Sequence, residues 1–193
     1  MVAAVGFQGY GWTMSLLYMA FILASQLEKG WAALDVRPGL FMTVGASGFT
    51  IVVLIGVARA CPTDYAYFAQ HPMAAEILMV VATWVGIFLW IFTFFCFAIA
   101  TLVTAREAFG RDGTGPFKAR MTYNNTWWAF IFPNVGFTLA TVFIGQELQS
   151  NAILWVSVAM TILLTAFWLF DLFIMGKVII VSFFYDSRVR LSH

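Results

Sequence analysis

Six small polar residues repeat one spacing inside two otherwise apolar stretches. Thr43, Ser47 and Thr50 stand at i, i+4, i+7, and so do Asn134, Thr138 and Thr141. That interval returns to one face of an α-helix. Hydroxyls and amides on such a face are neutral hydrogen-bonding groups, able to replace part of an ion's hydration without trapping it. Cations precede both stretches: Arg37 before the first, Lys118 and Arg120 before the second. The first turn of a helix carries free N–H groups and roughly half a positive charge, which favours anions. Together these features describe an entrance that attracts an anion and a path that lets it pass, since a fixed cation at mid-membrane would hold it too tightly. Each part has a plainer reading. Ser and Thr in spanning helices commonly bond backbone or a neighbouring helix, and flanking cations also set topology.

The elements that would carry these residues are membrane helices. The chain has 193 residues, of which 62% are hydrophobic, 18% aromatic and only 10% charged, against about 25% charged in soluble domains. A spanning helix needs about 20 mostly apolar residues. Five stretches qualify, at about 6–27, 39–58, 74–104, 126–146 and 152–184. The expected fold class is an all-α integral membrane protein with five transmembrane helices, forming one transmembrane domain over 1–193. Pro38 suits the first turn of the second helix, and Pro133 is expected to kink the fourth. Residues 59–73 and 105–123 read as loops. Asn124-Asn125-Thr126 reads as a helix cap rather than a glycan site.

Charge asymmetry sets the expected orientation. With residue 1 outside, Lys29, Arg37, Arg106, Arg111, Lys118, Arg120, Lys177, Arg188 and Arg190 fall inside and only Arg59 falls outside. That bias places the N-terminus outside and the C-terminus in the cytosol.

Other chemistries find little support. No acid or base lies at the middle of a span; Asp171 is the closest case, expected near the cytosolic interface. A proton pump built on central carboxylates is therefore disfavoured, and so is an intramembrane metalloprotease, since no His-Glu-x-x-His pattern occurs. His71 and His193 are too few for a haem or a paired metal centre. Cys61 and Cys96 do not form a disulfide framework. Neither a metal nor a cofactor nor an enzyme activity is expected, and a net charge of +1 gives no reason to expect nucleic acid as a partner.

Three strings resemble a known family. They are Gly6-Phe7-Gln8-Gly9-Tyr10-Gly11-Trp12, then Arg37-Pro38-Gly39-Leu40-Phe41 with Val44-Gly45 and Ser47-Gly48-Phe49-Thr50, and then Trp127-Trp128-Ala129-Phe130-Ile131-Phe132-Pro133-Asn134-Val135-Gly136-Phe137-Thr138. They resemble the tellurite-resistance/dicarboxylate transporter (voltage-dependent anion channel) family, and the last looks most like its fungal malic acid transporter branch. The resemblance implies a ten-helix subunit with five inner and five outer helices around a pore, and family trimers. This chain matches helices six to ten, its second and fourth spans being the inner helices seven and nine. It implies transport of C4-dicarboxylates such as malate, in the plasma membrane. Only two inner helices are present, which cannot enclose a pore, so a fragment, with a missing N-terminal half, is expected. Ala46 stands where many relatives have proline, which puts the kink of that helix in doubt.

The resemblance also implies a phenylalanine gate on the fourth span. Matching the motif gives Phe132, whereas ideal geometry places Phe130 about 40° and Phe132 about 160° from Asn134, at roughly 100° per residue. Both stay open. The expected path is Arg37, Thr43, Ser47, Thr50, Asn134, Thr138 and Thr141, with Lys118 and Arg120 as a cytosolic funnel. Partners are a small organic or inorganic anion and membrane lipid. The alternatives are efflux of sulfite or another small anion, and a non-transporting membrane subunit.

Overall fold

The computed structural model describes the backbone of residues 1–62, 64–108 and 123–190, with side chains described except at 66, 107, 108 and 182–190. Six α-helices follow in order: α1 Val2–Lys29, α2 Met42–Arg59, α3 Ala66–Gln70, α4 Ala74–Ala108, α5 Phe132–Glu147 and α6 Asn151–Arg190. Among the described residues there is no strand. Among the described residues, four stretches are long and apolar enough to cross a membrane: Leu34–Arg59, Ala74–Arg106, Asn125–Glu147 and Asn151–Val181. α1 has the length, at 28 residues, but is not among them. Arg111, Lys118 and Arg120 lie outside the described residues.

Two expectations about helix starts need correction. α2 does not begin at Pro38: a 3-10 turn, Leu34–Phe41, holds that proline and delivers the chain to Met42. α5 is not kinked in its interior by Pro133. A 3-10 turn, Asn125–Phe130, comes first, and Pro133 then lies in the first turn of α5. The physical reason is the same in both cases. Proline has no N–H to donate and its ring crowds the carbonyl four residues back, so a regular α-helix can begin with it but not run through it. The Asn124 cap forms as expected, its side chain accepting from Thr126 N at 2.8 Å. Residues 59–73 are not wholly a loop, because α3 forms within them.

The buried core lies among α2, α4 and α5. One part is Ile51, Ile55, Ala82, Leu89, Ala140 and Ile144; another is Phe41, Val44, Ala100 and Phe137. α1 buries no residue, and the outward faces of α4 and α6 expose Trp84, Phe88, Leu102, Ile162 and Phe173. An apolar exterior of that extent matches acyl chains rather than water. Since lipid is as apolar as leucine, helix association here must rest on close packing and hydrogen bonds.

α2 and α5 supply that close packing. A Cβ added at Gly45 would lie 3.0 Å from Pro133 Cα, and one at Gly48 would lie 2.7 Å from Gly136 C and Phe137 N. At the far ends Arg59 Nε donates to Glu147 Oε1 at 2.7 Å and Nη1 to Gln146 Oε1 at 2.9 Å. Start therefore meets start and end meets end, so the two helices are parallel. The turns before them are also joined: Asn124 Nδ2 and Thr126 Oγ1 both donate to the Asp35 carbonyl, at 3.0 and 2.7 Å. The Arg59 guanidinium also sits 4.5 Å from the Phe143 ring centre. Partly exposed ion pairs of this kind contribute about 0.2–1 kcal/mol. Arg59→Ala is expected to lower stability by about 1 kcal/mol, with the loss shrinking in high salt, as thermal unfolding of the purified protein at two salt concentrations would register.

Candidate functional site

The two polar stripes do not face one another. The α2–α5 contact is made by glycines and Pro133, which leaves no room for a stripe between them. Thr43 faces an open groove, while Asn134 and Thr138 face a separate cavity. Thr50 Oγ1 accepts from Gln8 Nε2 of α1 at 2.8 Å. Thr141 Oγ1 accepts from Trp90 Nε1 of α4 at 2.8 Å. All five hydroxyls also donate to backbone carbonyls three or four residues earlier, Thr43 to Leu40, Ser47 to Thr43 and Val44, Thr50 to Ala46, Thr138 to Asn134 and Thr141 to Phe137. Such back-bonding satisfies a hydroxyl in an apolar setting and leaves its lone pairs available as acceptors.

The open groove has a volume of about 330 Å³ and runs between α1 and the start of α2 and α5. Gln8, Ser15 and Thr43 are its polar groups; Ala46, Phe49, Phe132 and Pro133 form its apolar wall. Phe132 is 64% exposed and its ring centre lies 5.2 Å from that of Phe49. Phe130 points the other way, packing edge-on against Phe41 at 5.3 Å and Trp127 at 6.1 Å. Ideal geometry put Phe130 near Asn134, and both do border the same cavity; Phe132 is the one on the groove.

Arg37 is 9% exposed. Its Nε donates to Ala32 O at 2.8 Å and its Nη1 to Val103 O at 3.1 Å, tying the turn before α2 to the last turns of α4. A guanidinium is well placed there, because the closing carbonyls of a helix are electronegative. The cation thus stands at the mouth of α2 but is held in the wall.

The cavity lies between α4, α5 and α6 and has a volume of about 390 Å³. Asn134, Thr138, Thr101, Thr104 and Asp171 border it among aromatic and aliphatic side chains. Asp171 is 3% exposed, and among the described residues neither carboxylate oxygen has a hydrogen-bond partner. Burial, and then the Asp171 charge, push the phenol of nearby Tyr123 above its ordinary range. Spacing along α6 could not show which side chains neighbour Asp171. Gln8 was also overlooked as a site residue, though a single amide in the apolar start of α1 was a usable signal. Among the described residues no cluster of His, Cys, Asp or Glu could hold a metal.

An apolar exterior, paired turn-and-helix units and polar groups turned inward define an integral membrane protein. Residues 1–175 match the voltage-dependent anion channel family, and the chain belongs to it. Membership places it among channel-type membrane proteins rather than enzymes. It is 30% identical over 176 residues to a malic acid transport protein of Schizosaccharomyces pombe, covering 91% of this chain and 39% of the relative. A putative malic acid transport protein of the same organism is 26% identical over 171 residues, 87% of this chain and 37% of the relative. The chain thus spans about two fifths of the length of these relatives. No solved structure matches it.

Proposed function

We propose that the chain forms part of a transport path for C4-dicarboxylates such as malate. The observation that carries this reading is the parallel α2–α5 pair, with both helix starts opening on one groove that holds Thr43, Gln8 and Phe132. Two like-directed helix starts present two positive dipole ends to one mouth, which suits a dianion. The 30% identical relative is a malic acid transport protein, and the Phe-Pro-Asn-Val-Gly-Phe-Thr string falls at the start of α5. In this reading α1 is the fifth span, and the five spans stand as helices six to ten of the family's ten. The N-terminus lies outside and the C-terminus in the cytosol of the plasma membrane. Arg37, Lys118 and Arg120 supply the positive field at the cytosolic mouth, and Thr43 offers the first hydroxyl. Ser47, Thr50 and Thr141 serve the path as its neutral wall, their own bonds holding it in shape, while Asn134 and Thr138 face the separate cavity and stand behind that wall. Phe132 is the gate.

Uptake of labelled malate into proteoliposomes, with sulfite as competitor, tests this reading. Arg37→Ala is expected to cut malate uptake about tenfold, equal to about 1.4 kcal/mol. Arg37→Lys, which keeps the charge without the planar fork, is expected to restore part of it. Unchanged uptake in both variants rejects the role given to Arg37, and full inhibition by sulfite with poor malate uptake moves the substrate to small inorganic anions. A second reading, a non-transporting subunit, is favoured by the groove's open side: Met42 and Phe132 are exposed there. Malate flux appearing only with a full-length homologue present would select it.

A further inference from the structure

Groups that the anion path does not use meet in the cavity between α4, α5 and α6. Asp171 presents two carboxylate oxygens there without partners, and Asn134 Oδ1, Thr101 Oγ1 and Thr104 Oγ1 are likewise buried and unbonded. Such groups are costly to bury unpaired, and a buried carboxylate most of all. The Asn134 amide nitrogen is already committed to Phe130 O at 2.8 Å, so what remains of that side chain is an acceptor. The Thr101 and Thr104 hydroxyls and the phenol of nearby Tyr123 can donate as well as accept, so what no group there supplies is positive charge for the carboxylate. Around these oxygens the walls are aromatic and aliphatic, with Phe97, Phe167 and Phe170 among them.

We propose that this cavity binds a primary alkylammonium group carried on an apolar body. An ammonium has three N–H donors and no acceptor, which matches the Asp171 carboxylate and Asn134 Oδ1. Its charge neutralises Asp171, the aromatic faces favour a cation, and its hydrocarbon part fills the apolar remainder. An anion is excluded by the same carboxylate, so the cavity is a site separate from the groove. The ammonium can belong to a soluble amine or to the headgroup of an aminophospholipid, since the cavity sits where α5 begins and α4 ends.

The test is thermal unfolding of the purified full chain in a neutral maltoside detergent, with decylamine, decanol or decyl sulfate added at equal concentration. Decylamine is expected to raise the unfolding temperature and the other two are not. Equal shifts with decanol overturn the proposal, because then only the hydrocarbon binds. Asp171→Asn keeps shape and removes charge, and is expected to abolish the decylamine shift; an undiminished shift also overturns the proposal. Should that variant not fold, Thr104→Val is expected to weaken the shift, and an unchanged shift counts against the site. A parallel comparison of phosphatidylethanolamine with phosphatidylcholine bicelles separates the sources. Stabilisation by the former alone assigns a lipid headgroup, and a decylamine effect without it assigns a soluble amine. No effect in either arm rejects the site.

Discussion

Gly48→Ala is expected to be the most damaging single-methyl change in the chain. The added Cβ would stand 2.7 Å from Gly136 C and from Phe137 N, both backbone atoms of α5. No side-chain rotation relieves that contact, so the helices must separate. Overpacking of this kind costs typically about 1–3 kcal/mol, and here it acts on the contact that sets the groove. The variant should unfold at lower temperature in detergent and lose malate uptake together. Gly176→Ala is the matched control, because nothing lies within 4 Å of its Cβ position. It should hold or slightly gain stability, since alanine favours a helix over glycine by about 0.5–1 kcal/mol. Equal stability of the two variants would show that the glycine contact does not hold α2 to α5.

Phe132→Ala is expected to raise flux, and Phe130→Ala to lower stability instead. Phe132 is mostly exposed and its ring packs against Phe49 in the wall of the groove. Parting an aromatic pair costs about 0.5–1.5 kcal/mol, so removing the pair should speed passage about two- to tenfold if that contact closes the groove. Little stability should be lost, because little of the ring is buried. Phe130 packs on Phe41 and Trp127, and its removal empties packed space at a cost of about 3 kcal/mol. Malate uptake and thermal unfolding measured on both variants would separate gate from core. Faster flux in Phe130→Ala with none in Phe132→Ala would reverse the assignment.

What could be read from the chain, and what could not, follows from the range of each signal. Hydropathy is a local property, and it located the apolar stretches that became α2, α4, α5 and α6, with the start of α5 and the end of α6 each six residues from the expected bound. Glycine and proline strings were legible too. That Gly48 and Gly136 meet was not, since spacing says nothing about which helix lies across. The same gap affected the stripes. An i, i+4, i+7 interval fixes that Asn134, Thr138 and Thr141 share a face, not that α4 and α6 would receive it. Asp171 was noticed as the acid closest to a span's interior, while its lack of partners among the described residues depends on side chains of α4 and α5 distant in sequence. Arg37 was noticed for its charge; its bond to Val103 O, 66 residues away, had no local signature.

The facing pairs of α2 and α5 keep one constant interval. Gly45 meets Pro133, Gly48 meets Gly136, and Arg59 meets Glu147, 88 residues on. A piston stroke of one helical turn, about 5.4 Å, would bring Gly48 opposite Phe132 or Ala140, where a side chain already fills the gap. Axial travel is thus denied to this pair, and tying both leading turns to the Asp35 carbonyl denies it at the entrance as well. Whatever conformational cycle the protein runs, α2 and α5 must travel through it as a single blade, and the core they share with α4 goes with them.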